Sequence, residues 1–348
     1  MNYRTMGNTK LQLSEIGFGA GDNAGLFVGG SLADQCRVLG RALDLGITYV
    51  DTAAGYGATL SETNLGKTLA ALTARPIINT KVEVTVDQVG DVAGAVVASI
   101  EASLKRLGVD YVDVAQIHNS PAYRRPEGWT GGPTGPWMPM LIEEYLGPNG
   151  AVEGLRRLRQ AGKARFTGFA GVGPDHPLSK AIFASGEASL LNVPFNLLNP
   201  TAGMAKPLGL QVPLDYDRIL DYAAMHGAGA AIINPLGWGV LTDLAVSGAA
   251  RHPQAGTNIT RNADAYTRSV ARASQFKFLA RDGRTLAQSA VQFALRHPAV
   301  TTVLGGFTAV EHVEEMVGAL TAPQLTGEDI ARIELAWRGN LGEPETGG

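Results

Sequence analysis

Short apolar runs, rich in β-branched and aromatic residues, alternate along the chain with longer stretches of helical periodicity. The strand-like runs are Ile16–Gly19, Thr48–Asp51, Ile77–Thr80, Val112–His118, Arg165–Phe169, Leu190–Val193, Ala230–Asn234 and Thr301–Gly305. The helix-like stretches are Ala33–Leu45, Ser61–Ala71, Asp91–Leu107, Ala151–Ala161, Tyr216–His226, Thr285–Arg296 and Ala309–Leu320. Gly46, Gly108 and Gly162 follow three of these helices, where a left-handed residue is favoured.

The number and spacing of these units favour a closed barrel over an open doubly wound sheet. Strands that alternate with helices form parallel α/β sheets. Strands that are short and mostly apolar are typical of sheets buried on both faces. The pattern therefore predicts an α/β protein, with a single (β/α)8 TIM barrel spanning residues 1–348.

Two long segments interrupt the regular spacing. Residues 119–150 are rich in Gly and Pro, and residues 237–275 form the second segment. Loops longer than about 15 residues inside a compact domain are usually lids or binding loops. Because both follow predicted strands, we interpret them as active-site loops at the carboxyl-terminal face of the barrel. A linker between two domains is the alternative, which the strand–helix alternation on both sides disfavours.

Composition narrows the class of protein. The 348 residues are 45% hydrophobic and carry a formal net charge of −3, which excludes disorder and gives no electrostatic footprint for nucleic acid or anionic lipid. Cys36 is the only cysteine, so an intramolecular disulfide and a cysteine-rich zinc site are excluded, and we expect no metal. We interpret Cys36 as a small buried helix residue rather than a nucleophile. The first residues lack an apolar signal region, and no membrane span is present, so we expect a cytoplasmic protein.

Four polar side chains stand at or just after the ends of three successive predicted strands. Asp51 ends the second strand, Tyr56 follows it, Lys81 ends the third, and His118 ends the fourth. Singly, each is commonplace as a cap, a turn residue, a solvated charge or a structural imidazole. A parallel barrel would place the four side by side at one mouth. We therefore treat Asp51, Tyr56, Lys81 and His118 as the catalytic candidates.

This set of groups can move a proton to or from an oxygen atom. A phenol is a poor acid at neutral pH, but a nearby ammonium lowers its pKa, and an aspartate keeps that ammonium charged. A histidine can hold the substrate oxygen in place. Side chains do not supply hydride, so reduction of a carbonyl or oxidation of an alcohol implies a nicotinamide cofactor, NAD or NADP.

The chain resembles the aldo-keto reductase family almost from end to end. The matching stretches include ALDLGITYVDTAAGYG, LSETNLGKTL, SIEASLKRLGVDYVDVAQIH and GLRRLRQAGKARFTG. The resemblance implies a (β/α)8 barrel, an amino-terminal β-hairpin that plugs its bottom, and an NAD(P) cofactor. It also implies that Tyr56 donates the proton, that Lys81 and Asp51 tune it, and that His118 orients the carbonyl.

The same resemblance implies a set of cofactor contacts, with departures from the family pattern. The implied residues are Gly19, Ala20, Asp51, Ala170, Gly171, Asn192, Asn234, Pro235, Leu236, Gly237, Gly239, Leu241, Gly306, Thr308, His312 and Glu315. Ala170 and Gly171 replace the Ser and Asn that usually hold the nicotinamide amide, and Asn192 replaces a Gln. The Arg or Lys that usually binds a 2′-phosphate is absent from this motif, with Arg261 or Arg268 as candidate substitutes. We therefore predict use of NAD.

Substrate candidates come from the predicted loops. We expect Phe27, Tyr56, His118, Trp129 and Trp137 to wall the pocket, since aromatic faces are platforms for sugar rings. This favours a small-molecule carbonyl, sugar or lactol substrate, as in the NAD-using sugar dehydrogenases that the chain resembles, although a hydrophobic aldehyde stays possible. The alternatives are a cofactor-sensing subunit with little turnover and a barrel lyase or isomerase. The sequence leaves a homo-oligomer and the direction of the reaction open.

Overall fold

Eight parallel strands close into a barrel in the computed structural model, which describes residues 1–125, 139–170, 176–249 and 263–344. The barrel strands are β3 (Ile16–Gly19), β4 (Tyr49–Asp51), β5 (Ile77–Val82), β6 (Val112–Ile117), β9 (Ala164–Phe169), β10 (Leu190–Pro194), β11 (Gly229–Ile233) and β12 (Val300–Gly306). They pair in this sequence order, and β12 closes the ring against β3. The predicted (β/α)8 fold is confirmed, and each predicted strand corresponds to one barrel strand.

The remaining strands are short and lie outside the barrel. They are β1 (Tyr3–Thr5), β2 (Gln12–Ser14), β7 (Pro121–Ala122) and β8 (Met140–Leu141). The β1–β2 pair is an antiparallel hairpin, and Met6, Leu11 and Leu13 pack with the inward-facing Tyr49 and Val114. The hairpin therefore closes one end of the barrel, which leaves the carboxyl-terminal end for a site.

Helices connect the strands and cover the barrel. The long ones are α2 (Leu32–Asp44), α3 (Leu60–Leu72), α4 (Val92–Leu107), α6 (Ala151–Gln160), α7 (His176–Ala184), α8 (Ile219–Met225), α10 (Ala263–Ser274), α11 (Leu286–Leu295), α12 (Val310–Gly318) and α13 (Gly327–Arg338). The short ones are α1 (Leu26–Gly29), α5 (Ile142–Leu146) and α9 (Asp243–Ser247). Gly46, Gly108 and Gly162 have positive φ beyond the ends of α2, α4 and α6, as the sequence predicts. None of the described helices combines the length and apolar character needed to cross a bilayer.

The described parts of the two predicted loops are more structured than the sequence suggests. Residues 119–150 contain β7, β8 and α5, and residues 237–275 contain α9 and α10. Helices α7 and α13 also escaped the sequence prediction. Cys36 lies on α2 as expected, but it is partly exposed rather than buried.

Candidate active site

Strand pairing brings Asp51, Lys81 and His118 to one end of the barrel. In β4 and β5, Asp51 is paired with Asn79, and in β5 and β6, Lys81 is paired with Gln116. His118 directly follows β6 and donates its backbone N–H to the carbonyl of Val82 at 2.8 Å. Tyr56 stands in the turn after β4. The four catalytic candidates are therefore contributed by three adjacent strands and the turn after one of them.

A buried ion pair forms the base of this cluster. The Nζ atom of Lys81 contacts Oδ1 of Asp51 and donates to the carbonyl of Thr52 at 2.8 Å. It also lies 3.4 Å from the phenolic oxygen of Tyr56. Burial lowers the pKa of Lys81, but Asp51 and Tyr56 outweigh it, so the net shift in the pKa of Lys81 is upward. Lys81 is therefore charged beside the phenol.

Tyr56 does not become a stronger acid in this arrangement. Burial raises the pKa of the phenol, Lys81 lowers it, and Asp51 raises it again, with a net upward shift. Lys81 lowers the pKa of the phenol as expected, but the desolvation of the phenolate exceeds the effect of the ammonium, so the net shift is upward. Tyr56 is protonated at neutral pH and can act as a proton donor.

A network of amides holds the second oxygen of Asp51. Asn79 and Asn192 each donate to Oδ2, at 2.7 and 2.8 Å, and Gln116 donates to the side-chain oxygen of Asn192 at 3.1 Å. Asn192 thus uses both ends of its amide inside the barrel and is 1% exposed, and its contact with the cofactor stays a prediction. Asn79 and Gln116 were not predicted from the sequence, although polar residues within otherwise apolar strands are a usable signal.

His118 is fixed by a carboxylate that the sequence analysis also missed. Its Nδ1 lies 3.0 Å from Oε1 of Glu83, and its ring meets the Tyr56 ring edge to face at 5.6 Å. Burial and nearby Lys81 hold the pKa of His118 well below its usual range, so the imidazole is neutral at pH 7. Burial raises the pKa of Glu83 to about 7, while Lys81 opposes the shift and Asp22 adds to it.

An inner chamber opens beside Tyr56 and adjoins an outer chamber. The inner chamber, of about 280 Å³, is lined by Asp51, Tyr56 and Trp238 among others. The outer chamber, of about 390 Å³, reaches Thr308, His312 and Glu315 on the segment around α12. Both chambers share Ala24, Leu236, Gly239, Gly305 and Gly306. One continuous cleft therefore runs from the catalytic candidates to α12.

Most of the predicted cofactor residues line this cleft. They are Gly19, Asp51, Asn234, Pro235, Leu236, Gly239, Gly306, Thr308, His312 and Glu315. Ala20, Ala170, Gly237 and Leu241 do not line it. Leu241 and Ala20 are 0% and 1% exposed, so their side chains belong to the core. Gly171 lies outside the described residues, as does Arg261.

The predicted substrate wall needs correction. Phe27 is 1% exposed and packs edge to face on Phe18 in the core, with ring centroids 5.7 Å apart, so its assignment to the wall is wrong. The sequence could not show this, because the contact joins Phe27 of α1 to Phe18 of β3, and it forms only in the folded core. Trp129 and Trp137 lie outside the described residues. Trp238, which the sequence analysis did not select, lines the inner chamber instead; its position between two glycines of a loop was the available signal.

The cleft fits a dinucleotide. Gly306 lines both chambers, and a methyl group on it would approach Cβ of Ala24 at 3.3 Å and narrow the passage. Helix α12 begins beside Thr308 without a side-chain cap at Ala309, which leaves its first backbone N–H groups for an anion. Thr308 Oγ1 lies 3.0 Å from Nδ1 of His312. The residues present therefore match a nicotinamide end near Tyr56 and a phosphate-bearing end near α12.

Comparisons with known proteins agree on one family. The family model described as the aldo/keto reductase family matches residues 15–338. L-Galactose dehydrogenase from Arabidopsis thaliana is 27% identical over 94% of this chain and 91% of that protein. L-Glyceraldehyde 3-phosphate reductase from Escherichia coli K12 is 26% identical over 96% of this chain and 92% of that protein. The solved holo form of aldo-keto reductase AKR11C1 from Bacillus halodurans covers 96% of both chains with a TM-score of 0.69 at 22% identity, a likeness of fold.

Proposed function

The chain belongs to the aldo/keto reductase family and is an NAD(P)-dependent oxidoreductase, and from that premise we propose that it prefers NAD(H) and acts on unphosphorylated, sugar-like carbonyls or lactols. Tyr56 is the general acid and base in this proposal. One observation carries it: Lys81 links buried Asp51 to the hydroxyl of Tyr56, and both Asp51 and Tyr56 line the inner chamber.

The proposed chemistry assigns one task to each side chain. A nicotinamide bound in the cleft supplies or accepts the hydride. In the reductive direction, Tyr56 donates its phenolic proton to the substrate oxygen, and the Lys81 ammonium stabilises the phenolate that remains. Asp51 keeps Lys81 charged and fixed. His118 donates from Nε2 to the same oxygen and orients it. In the oxidative direction, the phenolate of Tyr56 accepts the alcohol proton.

The preference for NAD(H) follows from the charges around the outer chamber. The described lining residues include the carboxylates of Asp243 and Glu315 and no Lys or Arg. A 2′-phosphate carries negative charge and usually requires an Arg or Lys partner. The side chains of Thr308 and His312 can form hydrogen bonds with a ribose hydroxyl. The lining therefore supports NAD(H) over NADP(H).

We expect NADH to bind about tenfold or more tightly than NADPH. The Glu315→Lys variant should bring the two dissociation constants closer by about tenfold, because an attraction replaces a repulsion at a partly exposed site, a change of about 1–2 kcal/mol. Fluorescence titration with each nucleotide measures this. Glu334→Lys on the exposed face of α13 is the matched control for the change in net charge. Tighter binding of NADPH to the parent protein would contradict the preference and point to Arg261 or Arg268.

The preference for an unphosphorylated substrate follows from the mouth of the inner chamber. The carboxyl group of Asp22 lies close enough to both Tyr56 and Glu83 to raise the pKa of each. No described residue that lines the inner chamber is Lys or Arg, and the charge of Lys81 is satisfied by Asp51. Arg125 is held by Glu144. Hydroxyl groups can donate to carboxylates, whereas a phosphate would meet like charge.

The matched pair L-glyceraldehyde and L-glyceraldehyde 3-phosphate tests this preference, because the two aldehydes differ only in the phosphate. We expect kcat/KM with NADH to be about tenfold or more higher for L-glyceraldehyde, since like-charge contacts cost several kcal/mol in a desolvated site. L-Galactose with NAD⁺ tests the oxidative direction. A higher kcat/KM for the phosphorylated aldehyde would overturn the proposed substrate class.

A further inference from the structure

Glu83 contacts both segments that carry the groups assigned to the substrate oxygen, yet the proposed mechanism does not use it. Its Oε1 lies 3.0 Å from Nδ1 of His118. The same carboxylate lies against the backbone of Gly55, so closely that a methyl group there would come within 2.0 Å of Oε1. Gly55 directly precedes Tyr56, whose ring meets that of His118 edge to face.

We propose that Glu83 is a positioning residue that sets the tautomer of His118, and thereby decides whether Nε2 presents a proton or a lone pair to the substrate oxygen. This role of Glu83 rests on the proposed function only for the part that the substrate oxygen plays. The tautomer itself follows from the contact between Glu83 and Nδ1.

The number of protons that Glu83 and His118, the pair, hold together decides whether Nε2 of His118 carries a proton. With two protons on the pair, protonated Glu83 donates to Nδ1 and His118 carries its own proton on Nε2. The other arrangement of two protons, a carboxylate beside an imidazolium, also leaves a proton on Nε2. With one proton, the ionised carboxylate accepts from Nδ1–H and Nε2 holds a lone pair. Only the two-proton form can donate from Nε2 to a carbonyl oxygen.

The groups around Glu83 and His118 bring the loss of the second proton to a pH near 7. Burial raises the pKa of Glu83 to about 7, with Lys81 pulling it down and Asp22 pushing it up. In the described structure, Lys81 and Asp22 are the charged groups that shift the pKa values of Glu83 and His118, and the titratable Tyr56 meets the His118 ring. Of these, Lys81 stays protonated and Tyr56 stays neutral until well above pH 7, because the pKa of each is raised. Glu83 and His118 therefore lose their second proton near neutrality, while Lys81 and Tyr56 keep theirs.

Carbonyl reduction should therefore decline above about pH 7, approaching a tenfold loss in kcat for each further pH unit. In Glu83→Gln, an amide keeps a hydrogen bond to Nδ1 but does not titrate. We expect this variant to retain turnover and to lose the alkaline decline between pH 7 and 9. Asp22→Asn should keep the decline but move it to lower pH, because Asp22 raises the pKa of Glu83. A decline that persists in Glu83→Gln, or that disappears only in Asp22→Asn, would overturn the proposal.

A second measurement needs neither turnover nor a variant of Glu83. Nitrogen NMR of protein labelled in its histidine rings distinguishes Nδ1–H from Nε2–H, and His118→Asn identifies the His118 signal. We expect Nε2–H below about pH 7 and Nδ1–H above it in the parent protein. A single tautomer from pH 5.5 to 8.5 would refute the role of Glu83 even if the enzyme is active. If the His118 tautomer changes as expected but the protein turns over no sugar, the role of Glu83 is upheld and only the proposed function is contradicted.

Discussion

Tyr56→Phe is expected to lower kcat by about 10³-fold or more while NADH binding changes little. The substitution removes one oxygen atom, the atom that lies 3.4 Å from Nζ of Lys81 and lines the inner chamber. General acid catalysis usually contributes 10²- to 10⁴-fold, and here the lost proton donor is also the group that Lys81 stabilises. Steady-state reduction of L-glyceraldehyde and fluorescence titration with NADH measure the two quantities separately.

Tyr111→Phe is the matched control for this prediction. It deletes the same hydroxyl from a partly exposed tyrosine that stacks with Arg75, away from the cleft. We expect its kcat to equal that of the parent protein. Retained turnover in Tyr56→Phe would refute the proposed acid, whereas an equal loss of NADH affinity would show that the phenol holds the cofactor rather than the proton.

Lys81→Met is expected to lower both activity and stability, and a second substitution should separate the two effects. The change leaves the carboxylate of Asp51, which is 3% exposed, without its counter-charge. Breaking a buried pair in this way costs about 3 kcal/mol of unfolding free energy or more. Turnover should fall about 10²-fold or more, because the phenolate of Tyr56 loses its ammonium.

The double variant Lys81→Met/Asp51→Asn removes both charges. We expect it to regain at least about half of the lost unfolding free energy, since no buried charge then lacks a partner, and to remain inactive. Urea unfolding of the parent and both variants measures this. Arg157→Met, which breaks an exposed pair with Glu153, is the control and should cost less than about 1 kcal/mol. Equal destabilisation of the single and double variants would attribute the loss to packing at residue 81 instead of to charge.

The barrel architecture could be predicted from the pattern of apolar residues along the chain. Each of the eight predicted apolar runs became a barrel strand, and the glycines after α2, α4 and α6 adopt the expected positive φ. Apolar periodicity reports which faces of a segment are buried, and this is a property of neighbouring residues in the chain. The same reasoning placed Asp51, Lys81 and His118 at strand ends, and strand pairing brings them together.

The contacts that individual side chains make could not be predicted from this local pattern. Asn192 fits a cofactor contact by its place in a motif, yet its amide is used by Asp51 and Gln116 on other strands. Phe27 fits a pocket wall by its place in a loop, yet its ring is buried against Phe18. Such partners are decided by the stagger between strands and by the path of each connection, and neither quantity is encoded in the periodicity of one segment.

By itself, the sequence determined the barrel, its family and the four side chains proposed for catalysis, because these depend on burial patterns and on motifs that are continuous along the chain. Only the tertiary structure decided the electrostatic state of that site. Burial outweighs Lys81 in raising the pKa of Tyr56, and Glu83 meets His118 across two strands. Desolvation and pairing distances arise only when the strands close around these groups, so the protonation of the site is a property of the folded barrel.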